Sequence, residues 1–258
     1  MELNLNDKIT VITGAASGIG RASAMEFASL GATVVVSDID AQGAEATVGQ
    51  IRQKGGTAVA VAADVMAQEQ VAALINTAVE RFGRLDVLFN NAGGAQPEPT
   101  HEMSPAEFRR VVELNLFSMF YGVHAALPVM MAQRSGTILS TTSGAGLGAV
   151  PGLAAYGAAK AGMIALTRNI AAEYGQYGIR ANVISPGSMD TVGFRIWLDS
   201  LPGSDQDYFS QIPSGRLGTA EDIARVAAFL ASDYSAYVNG VTVPVDGGIA
   251  GVLAIPRV

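Results

Sequence analysis

Short runs of β-branched and other apolar residues alternate along this chain with longer segments of helical periodicity. The runs at 8–13, 32–37, 57–63 and 87–90 are almost continuously apolar. Strands of this kind are covered on both faces, as they are in a parallel sheet. Because a helical segment separates successive strands, the pattern predicts right-handed strand–helix–strand crossovers. The chain is therefore expected to form an α/β fold with a doubly wound, Rossmann-type parallel sheet.

The same alternation continues to the end of the chain and brings the expected number of strands to about seven. A long helix is predicted over 105–133, with a bend near Pro128. The other predicted helices are 19–30, 41–54, 68–82, 156–174 and 220–232, and the later strands are 136–142, 180–184 and 241–245. No linker, repeat or low-complexity segment interrupts the pattern, so residues 1–258 are expected to form one domain.

Composition excludes several classes of function. The chain has no cysteine and two histidines, so disulfides and thiolate nucleophiles are excluded and no metal site is expected. A net charge of −7 without a Lys/Arg cluster argues against nucleic acid or an anionic membrane as partner. The first residues lack the pattern of a signal peptide, and no run reaches the roughly 18 apolar residues that span a bilayer. A cytoplasmic protein is therefore expected.

A glycine-rich segment lies between the first strand and its helix. It reads Thr-Gly-Ala-Ala-Ser-Gly-Ile-Gly, and its candidate cofactor-binding residues are Gly14, Ser17, Gly18, Ile19 and Gly20. Glycines permit a tight turn and a close approach of the backbone to a pyrophosphate, which the helix N-terminus attracts. An ordinary glycine-rich turn is the alternative interpretation.

Acidic residues follow the second and third strands. Asp38 lies 20 residues after Gly18, which is the spacing typical of the acid that binds the adenosine ribose of NAD. A carboxylate there repels the 2′-phosphate of NADP, and Arg21 is the nearest positive charge, so NAD is the expected cofactor. Asp64 and Val65 are expected near the adenine, although a turn-forming aspartate is an equal alternative for Asp64.

Small and amide residues end the fourth strand in the sequence Asn90-Asn91-Ala92-Gly93. Ligands of doubly wound sheets bind at the carboxyl ends of strands. Asn91, Ala92 and Gly93 are therefore candidate cofactor contacts, and a hydrogen-bonded Asn turn is compatible with that role.

The segment Tyr156-Gly157-Ala158-Ala159-Lys160 contains the candidate acid/base. Residues four apart share a helix face, and an ammonium beside a phenol favours the phenolate. Ser143, after the fifth strand, is a candidate donor to a substrate oxygen. Asn115 is unusual within a helix and is a candidate for holding a water molecule near Lys160. Surface positions for Tyr156, Lys160 and Asn115, and a turn for Ser143, are the alternatives.

Together these residues resemble the short-chain dehydrogenase/reductase family in its subgroup of about 250 residues. The resemblance spans nearly the whole chain and includes Pro186-Gly187 and Asp246-Gly247-Gly248. It implies a catalytic tetrad of Asn115, Ser143, Tyr156 and Lys160, direct hydride transfer to nicotinamide, and a water-mediated proton relay. It also implies that Tyr156, Lys160, Pro186, Gly187 and Thr191 contact the cofactor. Members of this size are usually homotetramers that pack the helices predicted at 105–133 and 156–174.

The segment after the sixth strand, 188–216, is where the family covers its substrate. It is rich in apolar side chains, and three more lie near the expected pocket: Val192, Phe194, Ile196, Trp197, Leu198, Leu201, Tyr208 and Phe209, with Leu147, Val150 and Leu153. A lid helix that packs on the body of the protein is the alternative explanation. Arg195 is the nearest candidate for binding a substrate carboxylate.

These features favour a bulky apolar secondary alcohol, such as a cyclic terpenoid, steroid-like or aryl alcohol, and its ketone as the small-molecule partner. A cis-dihydrodiol is the next candidate. A 3-oxoacyl thioester reductase would use NADPH and a basic docking patch, which Asp38 and the negative charge disfavour. A non-catalytic nucleotide-binding protein is the least favoured alternative.

Overall fold

The sheet has seven parallel strands. The computed structural model describes residues 3–199 and 208–251, without the side chains at 192, 193, 196 and 197. The strand order is β3-β2-β1-β4-β5-β6-β7, and every neighbouring pair is parallel. The strands are β1 Ile9–Thr13, β2 Thr33–Asp38, β3 Thr57–Ala62, β4 Val87–Asn90, β5 Gly136–Thr141, β6 Ile179–Pro186 and β7 Thr242–Val245. The predicted fold class is confirmed.

Helices cover both faces of the sheet. They are α1 Gly18–Ser29, α2 Ala41–Gln53, α3 Gln68–Phe82, α4 Pro105–Val112, α5 Ser118–Gln133, α6 Ala154–Tyr174, α7 Val192–Asp199 and α8 Ala220–Ala231. Phe27 of α1, Ile51 of α2 and Leu230 of α8 belong to the core on one face. Leu74 of α3 and Met163 of α6 belong to the core on the other face. The continuously apolar strands are therefore buried on both sides, as the sequence pattern predicted.

The helix predicted at 105–133 is interrupted. A π-turn at Glu113–Phe117 separates α4 from α5, and α5 runs on through Pro128. The helix assignment is continuous at Pro128, and the interruption lies earlier in the segment. A π-turn inserts one residue into the helical repeat, and such turns are frequent at functional sites. Asn115 lies at the centre of this one.

The stretch from Pro105 to Gln133 is also long and apolar enough to cross a membrane by length and composition alone. The sequence analysis did not anticipate such a segment. Residues of α5 such as Met119, Val123 and Met130 are buried in the core beneath the sheet. A helix that contributes these side chains to the interior has the character of a core helix.

The helix that contains Tyr156 and Lys160 begins earlier than predicted. α6 starts at Ala154 instead of residue 156, so Tyr156 lies in its first turn. β6 extends to Pro186 instead of ending at 184. Both differences bring predicted site residues into regular elements whose ends lie at the carboxyl edge of the sheet.

Candidate active site

The carboxyl ends of the central strands form the edge where the predicted site residues meet. The chain winds outward from β1 in both directions, toward β2 and toward β4. Ligands of doubly wound sheets bind in the crevice at such a switch point. Thr13 ends β1, Asn90 ends β4 and Thr141 ends β5 at this edge.

The glycine-rich turn before α1 has the backbone that a pyrophosphate requires. Gly14 and Gly18 have positive φ angles of 65° and 52°. A Cβ on Gly20 would lie 2.0 Å from the Gly14 carbonyl oxygen, whereas a Cβ on Gly18 would meet nothing within 4 Å. Gly20 thus allows α1 to pack on the turn, and Gly18 leaves space above it. This space at a helix N-terminus fits the phosphates of a dinucleotide.

The side chains of this turn divide between the interior and the surface. Ile19 packs against the core beneath α1. Ser17 is exposed at the N-cap position, and in the part of the chain that the structure describes its hydroxyl makes no capping bond. Ser17 thus directly precedes Gly18 at the start of α1, with its side chain exposed.

Asp38 lies directly beside the glycine-rich turn. Its Oδ2 accepts a hydrogen bond from the Ala16 N–H at 2.9 Å, and its Oδ1 accepts one from the Asp40 N–H at 3.0 Å. The guanidinium of Arg21 donates to the Ala16 carbonyl oxygen. The carboxylate is thus fixed at the end of β2, next to the phosphate turn, where the ribose of a bound dinucleotide would lie.

Asp64 adopts the turn that the sequence analysis gave as its alternative. Its Oδ1 accepts the Met66 N–H at 2.9 Å, and its backbone N–H donates to Gln70 Oε1 at 2.9 Å. The next residue, Val65, is buried. An adenine contact by Asp64 and Val65 is compatible with this turn and stays a prediction.

Asn91 connects the ends of two strands. Its Nδ2 donates to the carbonyl oxygens of Thr13 and Gly14 at 3.1 and 3.3 Å, and its Oδ1 accepts the Thr141 hydroxyl at 3.0 Å. Thr13 Oγ1 in turn accepts the N–H groups of Asn91 and Ala92. The Asn91 side chain therefore holds the site together, so that any contact with a cofactor would come from the backbone of this segment.

Asn115 is fully buried and anchors the π-turn to the segment after β4. Its Nδ2 donates to the carbonyl oxygens of Gly94 and Val111, both at 2.9 Å, and its Oδ1 accepts the Gly94 N–H at 3.0 Å. Both amide donors are therefore used, and one acceptor position of Oδ1 is left. Gly93 sits between Asn115 and Lys160, since a Cβ there would lie 2.6 Å from Oδ1 and 3.3 Å from Nζ.

Tyr156, Ser143 and Lys160 lie together at the start of α6. Tyr156 lies beside Ser143, which acts on the pKa of its hydroxyl, and Ser143 Oγ accepts the Ala145 N–H at 3.2 Å. Lys160 Nζ lies 5.2 Å from the centroid of the Tyr156 ring and donates to the Thr141 carbonyl oxygen at 2.8 Å. The structure thus brings the four tetrad residues predicted from the sequence to one place.

Burial dominates the electrostatics of this cluster. It lowers the pKa of Lys160 to about 7. Burial also raises the pKa of Tyr156, and the hydrogen bond from Ser143 opposes that increase. The sequence predicts that the Lys160 ammonium lowers the pKa of Tyr156. The direction found is the opposite, because burial of Tyr156 disfavours its phenolate more than Ser143 favours it.

The segment after β6 begins with the predicted cofactor contacts. Pro186 is buried at the end of β6, and Gly187 packs closely on Asp246, whose Cα would lie 2.6 Å from a Cβ at position 187. Thr191 is exposed, and its hydroxyl accepts the Phe194 N–H at 3.2 Å at the start of α7. Contacts from these residues to a nicotinamide stay a prediction.

The substrate-covering segment has internal contacts of its own. The rings of Phe194 and Tyr208 pack at 5.6 Å between centroids, and Tyr208 is hydrogen-bonded to Ser188 at 2.6 Å. Arg195 Nε forms an ion pair with Asp190 Oδ1 at 2.7 Å.

Other predicted pocket residues differ in exposure. Leu198 is buried, Leu147 and Val150 are exposed, and Leu153 is half-buried. Leu201 and the side chains of Val192, Ile196 and Trp197 lie outside the described residues.

The residues that the sequence analysis missed are the bonding partners of the predicted ones. Thr13, Gly94 and Thr141 hold Asn91, Asn115 and Lys160 in place. Each lies at or just after the carboxyl end of a predicted strand. That position, in an edge already expected to bind ligand, was the signal that could have identified them.

Known proteins are similar to this chain over most of its length. The family model described as enoyl-(acyl carrier protein) reductase matches residues 14–250. Levodione reductase of Leifsonia aquatica is 40% identical over 250 residues, covering 94% of each chain. Cyclohexanol dehydrogenase of an Acinetobacter strain is 38% identical, covering 96% of each chain. A 3-oxoacyl-[acyl-carrier-protein] reductase of Thermotoga maritima is 35% identical, covering 96% of this chain and 99% of the relative.

Solved structures are also similar to this chain over most of its length. The crystal structure of levodione reductase superposes with a TM-score of 0.92 at 37% identity, covering 97% of this chain and all of the other. A 7α-hydroxysteroid dehydrogenase complexed with NADH and 7-oxoglycochenodeoxycholic acid superposes with a TM-score of 0.91 at 39% identity, covering 95% of each chain. The chain therefore belongs to the short-chain dehydrogenase/reductase family of oxidoreductases, whose members use NAD(H) or NADP(H).

Proposed function

We propose that the protein interconverts a bulky apolar secondary alcohol and its ketone with NAD, using Tyr156 as the acid/base. The observation that carries the proposal is the position of Tyr156, which is desolvated beside Ser143 and has Lys160 over its ring. A phenol beside a second hydroxyl and an amine can exchange a proton with one substrate oxygen.

Different residues of the chain have different roles in the reaction. Ser143 holds the substrate oxygen, and Tyr156 takes the proton from an alcohol or returns it to a ketone. Lys160 binds the nicotinamide ribose. Bound NAD supplies the hydride acceptor at nicotinamide C4. Asn115 supports a water molecule that carries the proton onward. That water molecule binds at the acceptor position that remains on the Asn115 side chain, or at its backbone.

The raised pKa of Tyr156 gives the two directions different pH dependences. At neutral pH the phenol is protonated and can act as the acid in ketone reduction. Alcohol oxidation requires the phenolate, so its rate rises toward alkaline pH. The first assay should therefore use alkaline buffer for oxidation.

The preference for NAD rests on Asp38. Its carboxylate is fixed by two backbone N–H groups beside the phosphate turn, where it would accept hydrogen bonds from ribose hydroxyls and repel a 2′-phosphate. Gly14, Gly18, Gly20 and the backbone of Gly93 provide the adjoining surface for the rest of the dinucleotide.

The preference for a neutral substrate rests on the charges of the segment 188–216. Its two arginines, Arg195 and Arg216, form ion pairs with Asp190 and Asp222 at 2.7 Å each. Their positive charges are thus compensated within the protein. Cyclic alcohols are the substrates that we favour, since relatives are named for cyclohexanol and for a hydroxysteroid. A cis-dihydrodiol would fit the same chemistry and is the next candidate.

A second candidate function is reduction of a 3-oxoacyl thioester. The matched relative of that name favours it. Asp38, which disfavours NADPH, and the net charge of −7, which disfavours docking of an acidic carrier, argue against it.

The test follows the absorbance of reduced nicotinamide with cyclic, aryl and dihydrodiol alcohols, with NAD and NADP in parallel and a 3-oxoacyl thioester in the reverse direction. We expect turnover of cyclic alcohols with NAD and little with NADP. Turnover confined to the thioester with NADPH would establish the second candidate. Full turnover by Tyr156→Phe would contradict the mechanism and revive a non-catalytic role for the site.

We also propose a homotetramer in the cytoplasm. Support for the oligomer comes from the end of the π-turn and the start of α5, where Phe117 and Phe120 are each 45% exposed. The cytoplasmic location is carried over from the sequence analysis as a prediction.

A further inference from the structure

Thr142, which directly precedes Ser143, joins the end of the sheet to α6. Its side chain is buried, and its Oγ1 donates to the Lys160 carbonyl oxygen at 3.0 Å. Its backbone N–H donates to the Ile184 carbonyl oxygen at 2.8 Å, which continues the pairing of β5 with β6. Thr142 is therefore bonded to the sheet on one side and to the helix of Tyr156 and Lys160 on the other.

The bond to the Lys160 carbonyl is additional to the bonds of the helix itself. An interior carbonyl of an α-helix accepts the N–H four residues later, and its oxygen has a second lone pair. The Thr142 hydroxyl uses that second position. The side chain of Lys160 is held as well, since its Nζ donates to the Thr141 carbonyl oxygen at 2.8 Å. Two consecutive residues at the end of β5 thus hold the backbone and the side chain of Lys160.

Two glycines bring the turn after Ser143 into direct contact with α6. A Cβ on Gly146 would lie 2.9 Å from the Lys160 carbonyl carbon, and a Cβ on Gly157 would lie 2.9 Å from the Ala145 carbonyl oxygen. The turn and the helix are therefore as close as their backbones allow. The threonine hydrogen bond between the same two regions opposes their separation.

The position of α6 relative to this turn matters for the reaction. Ser143 lies on the turn, whereas Tyr156 and Lys160 lie on the helix. A displacement of about 1 Å between groups that must meet one reacting atom can lower a rate about a hundredfold. A buried residue that bonds both regions can therefore control the rate from outside the pocket.

We propose that Thr142 is a positioning residue of the active site. Through its bond to the Lys160 carbonyl oxygen it sets the place of α6 relative to Ser143, and so the geometry in which Ser143 and Tyr156 meet one substrate oxygen. The same bond sets the place of Lys160 toward the cofactor. This inference rests on the proposed function and adds a residue outside the tetrad.

The first test measures the rate of hydride transfer in a single turnover with NAD and the alcohol that the wild type oxidises fastest. Thr142→Val keeps the shape of the side chain and removes the hydroxyl, whereas Thr142→Ser keeps the hydroxyl. We expect Thr142→Val to lower the rate about tenfold, with the half-saturating alcohol concentration unchanged, because the reacting groups are misplaced. Thr142→Ser should retain most of the wild-type rate.

Thr10→Val is the matched control. Thr10 is also buried, and its hydroxyl donates to the Thr33 carbonyl oxygen at 3.2 Å near the amino end of β1, away from the site. This substitution should keep the wild-type rate although it removes a similar hydrogen bond. An unchanged rate in Thr142→Val, an equal fall in Thr10→Val, or an equal fall in Thr142→Ser would overturn the inference.

A second readout does not depend on turnover. The affinity for NADH is measured by fluorescence titration in a double-mutant cycle of Thr142→Val and Lys160→Met, which keeps the backbone carbonyl. We expect Thr142→Val to weaken NADH binding severalfold when Lys160 is present and to have little further effect in the Lys160→Met background. Equal losses in both backgrounds, or no loss in either, would overturn the inference. A coupled loss of affinity in a protein that oxidises no secondary alcohol would uphold it and reject the proposed function.

Discussion

At the scale of single residues, Lys160 links catalysis to stability. Its pKa is about 7 in the folded protein and about 10.4 in an unfolded chain. Between these values the unfolded chain binds a proton that folded Lys160 does not, so the free energy of unfolding contributed by this residue rises with pH. We expect the melting temperature of the cofactor-free protein to rise from pH 7 to pH 10 more steeply than that of Lys160→Met.

The comparison of the two proteins isolates Lys160 from other titrating groups. Lys54, at the exposed end of α2, provides the control, and Lys54→Met should keep the wild-type slope. Parallel pH dependences for the wild type and Lys160→Met would show that Lys160 keeps its ordinary pKa in the folded protein.

Asp38 is the residue on which cofactor choice depends. Asp38→Asn keeps one side-chain oxygen for one of the two backbone N–H groups and removes the negative charge that opposes a 2′-phosphate. We expect the ratio of kcat/KM for NADP to that for NAD to rise about tenfold. The reason is that the substitution removes the partly screened repulsion between the Asp38 carboxylate and the 2′-phosphate. Asp40→Asn is the matched control because it removes an equal charge two residues away at the N-cap of α2. A similar rise in both variants would assign the effect to net charge alone.

At the scale of elements, two glycines in helices have opposite roles. A Cβ on Gly20 would meet the Gly14 carbonyl oxygen, whereas a Cβ on Gly49 in α2 would meet nothing within 4 Å. Gly49→Ala should therefore raise the free energy of unfolding by about 0.5–1 kcal/mol. Gly20→Ala should lower it by more than about 1 kcal/mol, since the backbone of the turn must shift, and should weaken NADH binding.

Chemical denaturation and NADH fluorescence titration measure these two effects. Gly49→Ala serves as the control for the Gly20 substitution, since it adds the same methyl group to a helix with space for it. Unchanged NADH affinity in Gly20→Ala would contradict the role of the close contact between α1 and the turn.

The elements themselves show what a sequence pattern can predict. α3 and β4 have the predicted bounds because their apolar periodicity stops at clear polar or glycine signals. The π-turn at Glu113–Phe117 was not predicted, because apolar residues continue on both sides of it and one inserted residue changes the period only locally. The one signal there was Asn115, a poor helix residue in the middle of a helical pattern.

The candidate site was likewise predictable from the sequence only in part. Tyr156, Lys160 and Ser143 could be chosen from residue type and spacing within short segments. The bonds from Thr141 to Asn91 and Lys160 join residues far apart in the chain and depend on strand register, which no local pattern contains. The pKa of Lys160 could not be predicted either, since it depends on complete burial of the ammonium.

At the scale of the whole molecule, one surface has the character of an interface between subunits. An aromatic stripe with helical spacing runs from the end of the π-turn along α5: Phe117, Phe120, Tyr121 and His124. Phe117 and Phe120 are each 45% exposed. A contiguous apolar stripe of this kind marks an association surface on a soluble protein. The family resemblance also predicts that subunits pack through α4, α5 and α6.

A negative charge in this stripe should therefore divide the assembly. In a two-fold interface each substitution occurs on both subunits, so Phe120→Glu places two uncompensated carboxylates in one contact. We expect light scattering after size exclusion to give a tetramer for the wild type and half that mass for Phe120→Glu at micromolar concentration. Gln50→Glu, which adds the same charge to the exposed face of α2, should stay tetrameric. A wild-type monomer, or an unchanged mass for Phe120→Glu, would show that this aromatic stripe does not join subunits.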